Sequence, residues 1–293
     1  ITFTVVLVLE SALMFGLNIE HLALELTASS MVIARAIELV FLFIIISKKC
    51  VVKFNFKEFI KSDLERLKSI AYYGSPIVIA KISWGMGFIM VTIISNKFVD
   101  IASAKGLFDA HSIMLTYQNI VSCLSNAMAS VVAVIIGREL GANRMQKAKD
   151  HGNEIMRLLF LMGLIEIILL MLFLPIAIII TPNMSKEARS FLWKVFLIQC
   201  IAYIPRSYNA STCNGFFTVG GDTLYIMLID GITAWVTIVP LGYIGLHFNW
   251  NPLLIYALIE LEEVFKCPIN IWRYRTKKWV FNITHKKGIV FNE

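Results

Sequence analysis

Eleven charged residues stand inside stretches that are otherwise oily: Glu10, Arg35, Glu38, Lys81, Asp109, Glu166, Asp230, Glu260, Glu262, Glu263 and Lys266. A charge at the centre of a hydrocarbon layer costs about 2.5 to 3.5 kcal/mol on insertion scales, so each must face a partner or a wet cavity. A carboxylate held there can trade a proton or a metal ion for a cationic molecule at one site, with no covalent step. On this reading Lys81, Asp109, Asp230, Glu260, Glu263 and Glu10 are the candidates for binding substrate or ion. Arg35 with Glu38 and Glu262 with Lys266 have instead the three- and four-residue spacing of structural pairs. Asp109, His111, Gln118, Asn119 and Asn126 recur at helical intervals, which suits either a wet face or hydrogen bonds between helices. Covalent catalysis finds no foothold, because the chain has no HExxH, no nucleophile elbow and no paired aspartates, and it is read as no enzyme.

The elements that must position these groups are apolar. Of the 293 residues 58% are hydrophobic and 16% charged, with mean hydropathy +0.73. Eight runs are long enough to cross a hydrocarbon core about 30 Å thick as helices. They lie near 1–17, 27–47, 74–98, 107–136, 153–180, 188–214, 223–247 and 252–272. Alternating ten-residue segments of a membrane barrel are lacking, and helices satisfy their own backbone in lipid. The expected fold is therefore an all-α polytopic membrane protein with eight transmembrane helices. The formal charge of +7 needs no nucleic-acid partner. Nineteen of the 27 Lys and Arg residues fall in alternate connectors, Arg206 counted among them, and five in the others. That bias places the 48–73 connector and the C-terminus in the cytoplasm. The five cysteines lack CxxC spacing and read as packing residues, with no metal site.

Two glycine-bearing corners interrupt the runs. In "IIGRELGAN" (135–143), Gly137 and Gly141 suit ending a helix and turning, and Asn143 is expected to cap the next helix with Gln146 as capping-box partner. No Gly-Lys-Ser or Gly-Lys-Thr follows, which excludes a phosphate loop. Phe56, Phe59, Ile60, Leu64, Leu67 and Ile70 recur at helical spacing among charges, predicting an amphipathic helix at the inner interface. A faint similarity between residues 13–49 and 240–275, shifted by about 225 positions, has the form of an internal transporter repeat. It implies room for about four more helices before Ile1, and the chain opens inside an apolar run without methionine.

The corner resembles one in each lobe of the multidrug and toxic compound extrusion (MATE) transporters, with Gly137, Leu140, Gly141, Ala142 and Ala148 at the matching places. "YYGSPIVIAKISWGMG" (72–87) is similar to the start of the family's second lobe, through Gly74, Pro76, Trp84 and Gly87. "NGFFTVGGDTLYIMLIDGITAWVTIVPLGY" (214–243) resembles its Gly-Gly-Asp-Thr turn, Gly220, Gly221, Asp222 and Thr223, and the next helix, with Asp230, Trp235 and Pro240 matching. "LEEVFKCPINIWRYR" resembles the last helix, and "VIARAIE" the sixth helix of the first lobe. The resemblance implies a twelve-helix, two-lobe exporter whose V-shaped cleft opens alternately to each side, driven by proton or sodium entry with no other cofactor. Residues 1–50 would be the last two helices of the N-terminal lobe, 51–73 the cytoplasmic connector, 74–275 the six-helix C-terminal lobe and 276–293 a basic tail. Its partners would be the lipid bilayer and a small, amphipathic substrate. Lys81 departs from the family, where many relatives carry glutamate, and Glu10 stands where asparagine is frequent. Lys81 leaves three readings open: an anionic or neutral cargo, a counter-charge to an acid such as Glu263, or lost transport. Drug or metabolite antiport, export of lipid-linked saccharides and a truncated, non-transporting relative are the functions in contention.

Overall fold

A computed structural model of the chain describes residues 23–49, 64–97, 106–182 and 184–282. Glu10, the first expected span and most of the amphipathic connector lie outside these residues. Every regular element described is helical: α1 (Ala23–Lys49), α2 (Leu64–Asn96), α3 (Leu107–Gly141), α4 (Met145–Ile180), α5 (Lys186–Ser211), α6 (Thr223–Ile232), α7 (Val239–His247), α8 (Pro252–Glu260) and α9 (Glu262–Arg275). Four stretches, Leu67–Ile94, Leu107–Gly141, Met145–Ile180 and Thr223–His247, are long and apolar enough to span a membrane. The chain divides into two units, Ile1–Leu67 and Lys68–Glu293. In the first, Arg35 Nη1 meets Glu38 Oε2 at 2.8 Å, the pairing their spacing predicts. The rest of the description concerns the second.

α3, α4 and α5 pack pairwise as the trunk of this unit. One apolar cluster (Leu107, Met114, Val121, Leu170, Leu174, Phe196) fills the end near the α4–α5 connection. Another (Ile136, Leu140, Ile155, Leu159, Phe216, Trp279) fills the end near the α3–α4 corner. Outward faces stay apolar too, as at Val134, Phe160, Ile168 and Leu228, because lipid rather than water surrounds them. Close approach is obtained with glycine: a Cβ on Gly163 would come within 3.0 Å of Ile204 Cα, and one on Gly215 within 2.7 Å of Val132 Cγ1.

Two long helical runs widen into π turns, at Thr212–Phe217 after α5 and at Thr233–Ile238 between α6 and α7. Such turns loosen the regular backbone ladder, and threonine hydroxyls repair it. Thr212 Oγ1 donates to Tyr208 O at 2.9 Å and Thr218 Oγ1 to Cys213 O at 2.8 Å. Thr233 and Thr237 donate likewise to Ile229 O and Thr233 O.

The α3–α4 corner forms by a different route from the one its sequence suggests. Asn143 does not cap α4: the residue flanking that helix is Arg144, with no side-chain cap, and Gln146 bonds Asp150. Instead Asn143 takes the left-handed conformation, φ 59°, and its N–H bonds Leu140 O while Arg144 N–H bonds Glu139 O. Asparagine tolerates that conformation and so closes the helix before it. Gly137 and Gly141 are both ordinary helix residues, absent from the left-handed positions.

At the same end the chain after α9 folds back under the trunk. Trp279 is fully buried and its Nε1 donates to Tyr274 O at 3.1 Å. Asp222 takes two bonds from Arg273, at 2.6 and 2.7 Å, which ties the Gly-Gly-Asp-Thr turn to α9. A Cβ at Gly220 would collide with the Trp279 carbonyl, whereas one at Gly141 would meet nothing within 4 Å. Gly220→Ala is therefore expected to cost about 1 to 3 kcal/mol through overpacking. Gly141→Ala, inside a helix, should be neutral or stabilising by up to about 1 kcal/mol. Thermal unfolding of the two variants in detergent checks the contrast.

Candidate functional site

Between the two apolar clusters runs a belt of polar residues. Its centre is Arg206 on α5, which donates to Glu260 Oε2 on α8 at 2.9 Å and to Gln199 Oε1 at 2.8 Å. Gln199 Nε2 donates in turn to the Tyr256 hydroxyl at 3.1 Å, and His111 lies edge-on to that ring, centroids 5.3 Å apart. One turn along α5, Asn209 Nδ2 donates to Glu263 Oε2 at 2.7 Å and accepts from Asn270 Nδ2 at 2.9 Å. The Tyr225 hydroxyl bonds Asn270 Oδ1 at 2.7 Å. Lys266 on α9 pairs with Asp230 on α6, both nearly buried. Lys81 on α2 reaches the start of this belt from its exposed side, donating to Asn214 Oδ1 at 2.9 Å.

The backbone prepares the place. α8 stops at Glu260 and α9 restarts at Glu262, so the last span is broken where three acids stand. Glu262 and Glu263 occupy the first turn of α9, where the positive end of the helix dipole favours a carboxylate. Discontinuous helices of this kind expose backbone groups and dipole ends at mid-membrane binding sites. The π turn after α5 adjoins the same belt through Asn214, and α6, which carries Asp230, runs directly into the other.

Of the sequence candidates, Asp230, Glu260 and Glu263 thus come together, with Lys81 at the edge. Asp109 does not join them: it sits exposed in the first turn of α3, with no bond to the belt among the described residues. Two sequence readings are corrected. Lys266 pairs with Asp230 rather than with Glu262 four residues earlier, because α6 brings a carboxyl closer than its own helix does. Arg206 is not part of a basic connector. It lies within α5, inside the 188–214 run, with a side chain only 17% exposed and bonded to Glu260 and Gln199.

Gln199, Arg206, Asn209 and Asn270 were therefore missed as members of the belt. The available signal was the polar run "IPRSYNAS" (204–211) inside an apolar stretch. Glu166, on α4, is a further case: it is fully buried and accepts from Ser125.

Comparison with known proteins places this geometry. The MatE family model matches residues 76–244, more than half of the chain. The chain belongs to the MatE family. It is 25% identical over 224 residues to a probable multidrug resistance protein NorM of Halalkalibacterium halodurans, covering 75% of this chain and 47% of the relative. A protein of the same description from Bacillus thuringiensis is 27% identical over 71% of this chain and 45% of its own length. A solved MOP superfamily transporter from Pyrococcus furiosus shares the fold with TM-score 0.74, at 15% identity over 94% of this chain and 60% of that one. The chain spans about half the length of the curated relatives it matches.

Removing one partner of a buried ion pair strands the other, at about 3 to 5 kcal/mol, whereas replacing both by apolar residues is often neutral. Lys266→Met is thus expected to destabilise the MatE chain strongly, and Asp230→Leu added to it should restore most of the loss. Thermal unfolding of both singles and the double measures the coupling. Glu166→Gln, which keeps the shape and the bond to Ser125, should unfold within a few degrees of the parent, while Glu166→Ala should fall well below it by the same measurement.

Proposed function

We propose that this chain supplies the C-terminal lobe, and the helices just before it, of a secondary active exporter that works by alternating access. The single observation that carries the reading is the belt itself. Five carboxyls (Glu166, Asp230, Glu260, Glu262, Glu263) and three cations (Lys81, Arg206, Lys266) lie in one membrane-embedded bundle at a broken helix. Polar groups of this density in a bilayer are expensive and mark ion or substrate pathways. Membership of the MatE family and similarity to proteins described as multidrug resistance transporters support export. A proton or sodium gradient would drive it, since carboxylates outnumber the cations and can exchange either ion. Residues 1–50 would belong to the N-terminal lobe, 51–73 to a cytoplasmic connector, 74–275 to the C-terminal lobe and 276–293 to a cytoplasmic tail. The basic bias of these connectors supports that orientation in a cell membrane. Asp230, Glu260 and Glu263 would line the ion or substrate path.

A second reading of the cargo rests on Lys81. Its ammonium is held by a neutral amide and has no ion pair among the described residues, so it presents positive charge rather than neutralising Glu263. That favours a neutral or anionic amphipathic molecule over an organic cation. The Pyrococcus furiosus relative is described as having a binding pocket of reverse polarity that suggests a different function.

Proteoliposomes loaded with a fluorescent cation or a fluorescent anion, under an imposed proton or sodium gradient, test both points. Gradient-driven efflux of the anion in preference to the cation is expected, and Lys81→Glu should reverse the preference. Absence of gradient-driven movement of either dye, in parent and variant alike, would count against export by this chain.

A further inference from the structure

Where α4, α5 and the end of α9 meet, a recess of about 340 Å³ opens beside the folded-back tail. Met156, Tyr208 and Ile271 form its apolar wall, and Asn153, Arg275 and Lys277 its polar mouth. Lys277 is held there by its backbone. Its φ is +56°, the left-handed conformation that a lysine adopts at a cost, and this aims its chain back over the lobe. The ammonium sits 4.4 Å from the centroid of the Tyr274 ring and 3.4 Å from Asn153 Oδ1. The Tyr274 hydroxyl donates to the same oxygen at 3.2 Å.

The charges here are one-sided. Loss of water, with the positive charge of Lys149 on α4 as a smaller cause, lowers the Lys277 pKa from its ordinary value. None of Lys149, Arg275 and Lys277 makes an ion pair among the described residues. Glu154, the acid next to Asn153, is turned to His151 at 3.8 Å. The two cations at the mouth, set against an aromatic and aliphatic wall, have no ion-paired acid among the described residues. The wall decides which anion: free phosphate gains nothing from Met156, Tyr208 and Ile271, while a lipid fills them with its glycerol and upper acyl carbons. Exposed Leu158 and Ile269 on α4 and α9 continue the apolar surface, and exposed Trp272 has the residue type of the membrane interface.

We propose that this recess is a binding site for the phosphate headgroup of an anionic phospholipid, held by Arg275 and Lys277 at its mouth. Basic pockets between membrane helices on the cytoplasmic side bind such headgroups, each cation contributing enough to matter. The lipid would pin the tail, α4 and α9 together at the end of the lobe where the Asp222 to Arg273 clasp also acts. The inference rests on the orientation proposed above only for the choice of leaflet, and its test does not involve transport, so either reading can fail alone.

The purified chain in detergent is titrated with phosphatidylglycerol or with phosphatidylcholine of the same acyl chains and followed by native mass spectrometry. Phosphatidylglycerol is expected to bind about tenfold tighter or more, the advantage falling with added salt. Arg275→Gln/Lys277→Gln, both outside the packed core, should lower that affinity by about tenfold. Lys194→Gln, a basic residue at the opposite end, should leave it unchanged, and millimolar inorganic phosphate should not displace the lipid. Equal binding of the two lipids in the parent chain overturns the proposal without reference to any variant. Unchanged binding in the double variant, or full displacement by inorganic phosphate, overturns it as well.

Discussion

A bilayer offers no water to a charge and no hydrogen bond to a stray backbone group, so every polar atom at membrane depth must be answered from within the protein. The architecture of this unit follows from that demand. Arg206 is acceptable inside α5 because Glu260 and Gln199 meet it, and Glu260 is acceptable because the last span breaks beside it. Asp230 depends on Lys266, and Glu263 on Asn209, which itself is held by Asn270 and through it by Tyr225. No member is independent. A conformational change that moves α8 and α9 must break several of these bonds together, and this is how a bundle acquires discrete states instead of bending continuously.

Irregular backbone concentrates where the charges do. Two π turns and a broken helix interrupt the regular ladder beside the belt, and threonine hydroxyls bond the carbonyls they loosen. The trunk around them is regular. α3 and α4 run as uninterrupted helices joined by a tight left-handed corner at Asn143. This unit thus combines a stiff hairpin with a set of half-helices. Its end at the α3–α4 corner is closed by the buried Trp279 and the Arg273 clasp, which fix where α9 ends.

The fold was legible in the sequence to a large degree. Apolar runs reveal spans because the length of helix needed to cross a membrane is set by the bilayer and not by the partner helices. The runs at 107–136 and 153–180 reappear as the long helices α3 and α4, and Arg35 finds Glu38 three residues away, since local pairs depend only on helical geometry. The three acids Asp230, Glu260 and Glu263 stood out for the same reason: a carboxyl in an oily run is conspicuous wherever it lies. Arg206 did not, because a lone cation toward the end of an apolar run reads as an anchor until its partners on other helices are located.

What only the tertiary structure decided is who meets whom. Lys266 could have taken Glu262 on its own helix, but α6 approaches more closely with Asp230, and distance between helices is not written in spacing along one of them. The same holds for Asn209 with Glu263 and for Gly220 beneath Trp279, separated by dozens of residues. The sequence by itself determined a helical membrane protein with costly charges in its spans, since solvation energy depends on residue type. Packing determined which charges are neutralised by which partners, since electrostatic pairing depends on a few ångströms of distance that arise only when the helices come together.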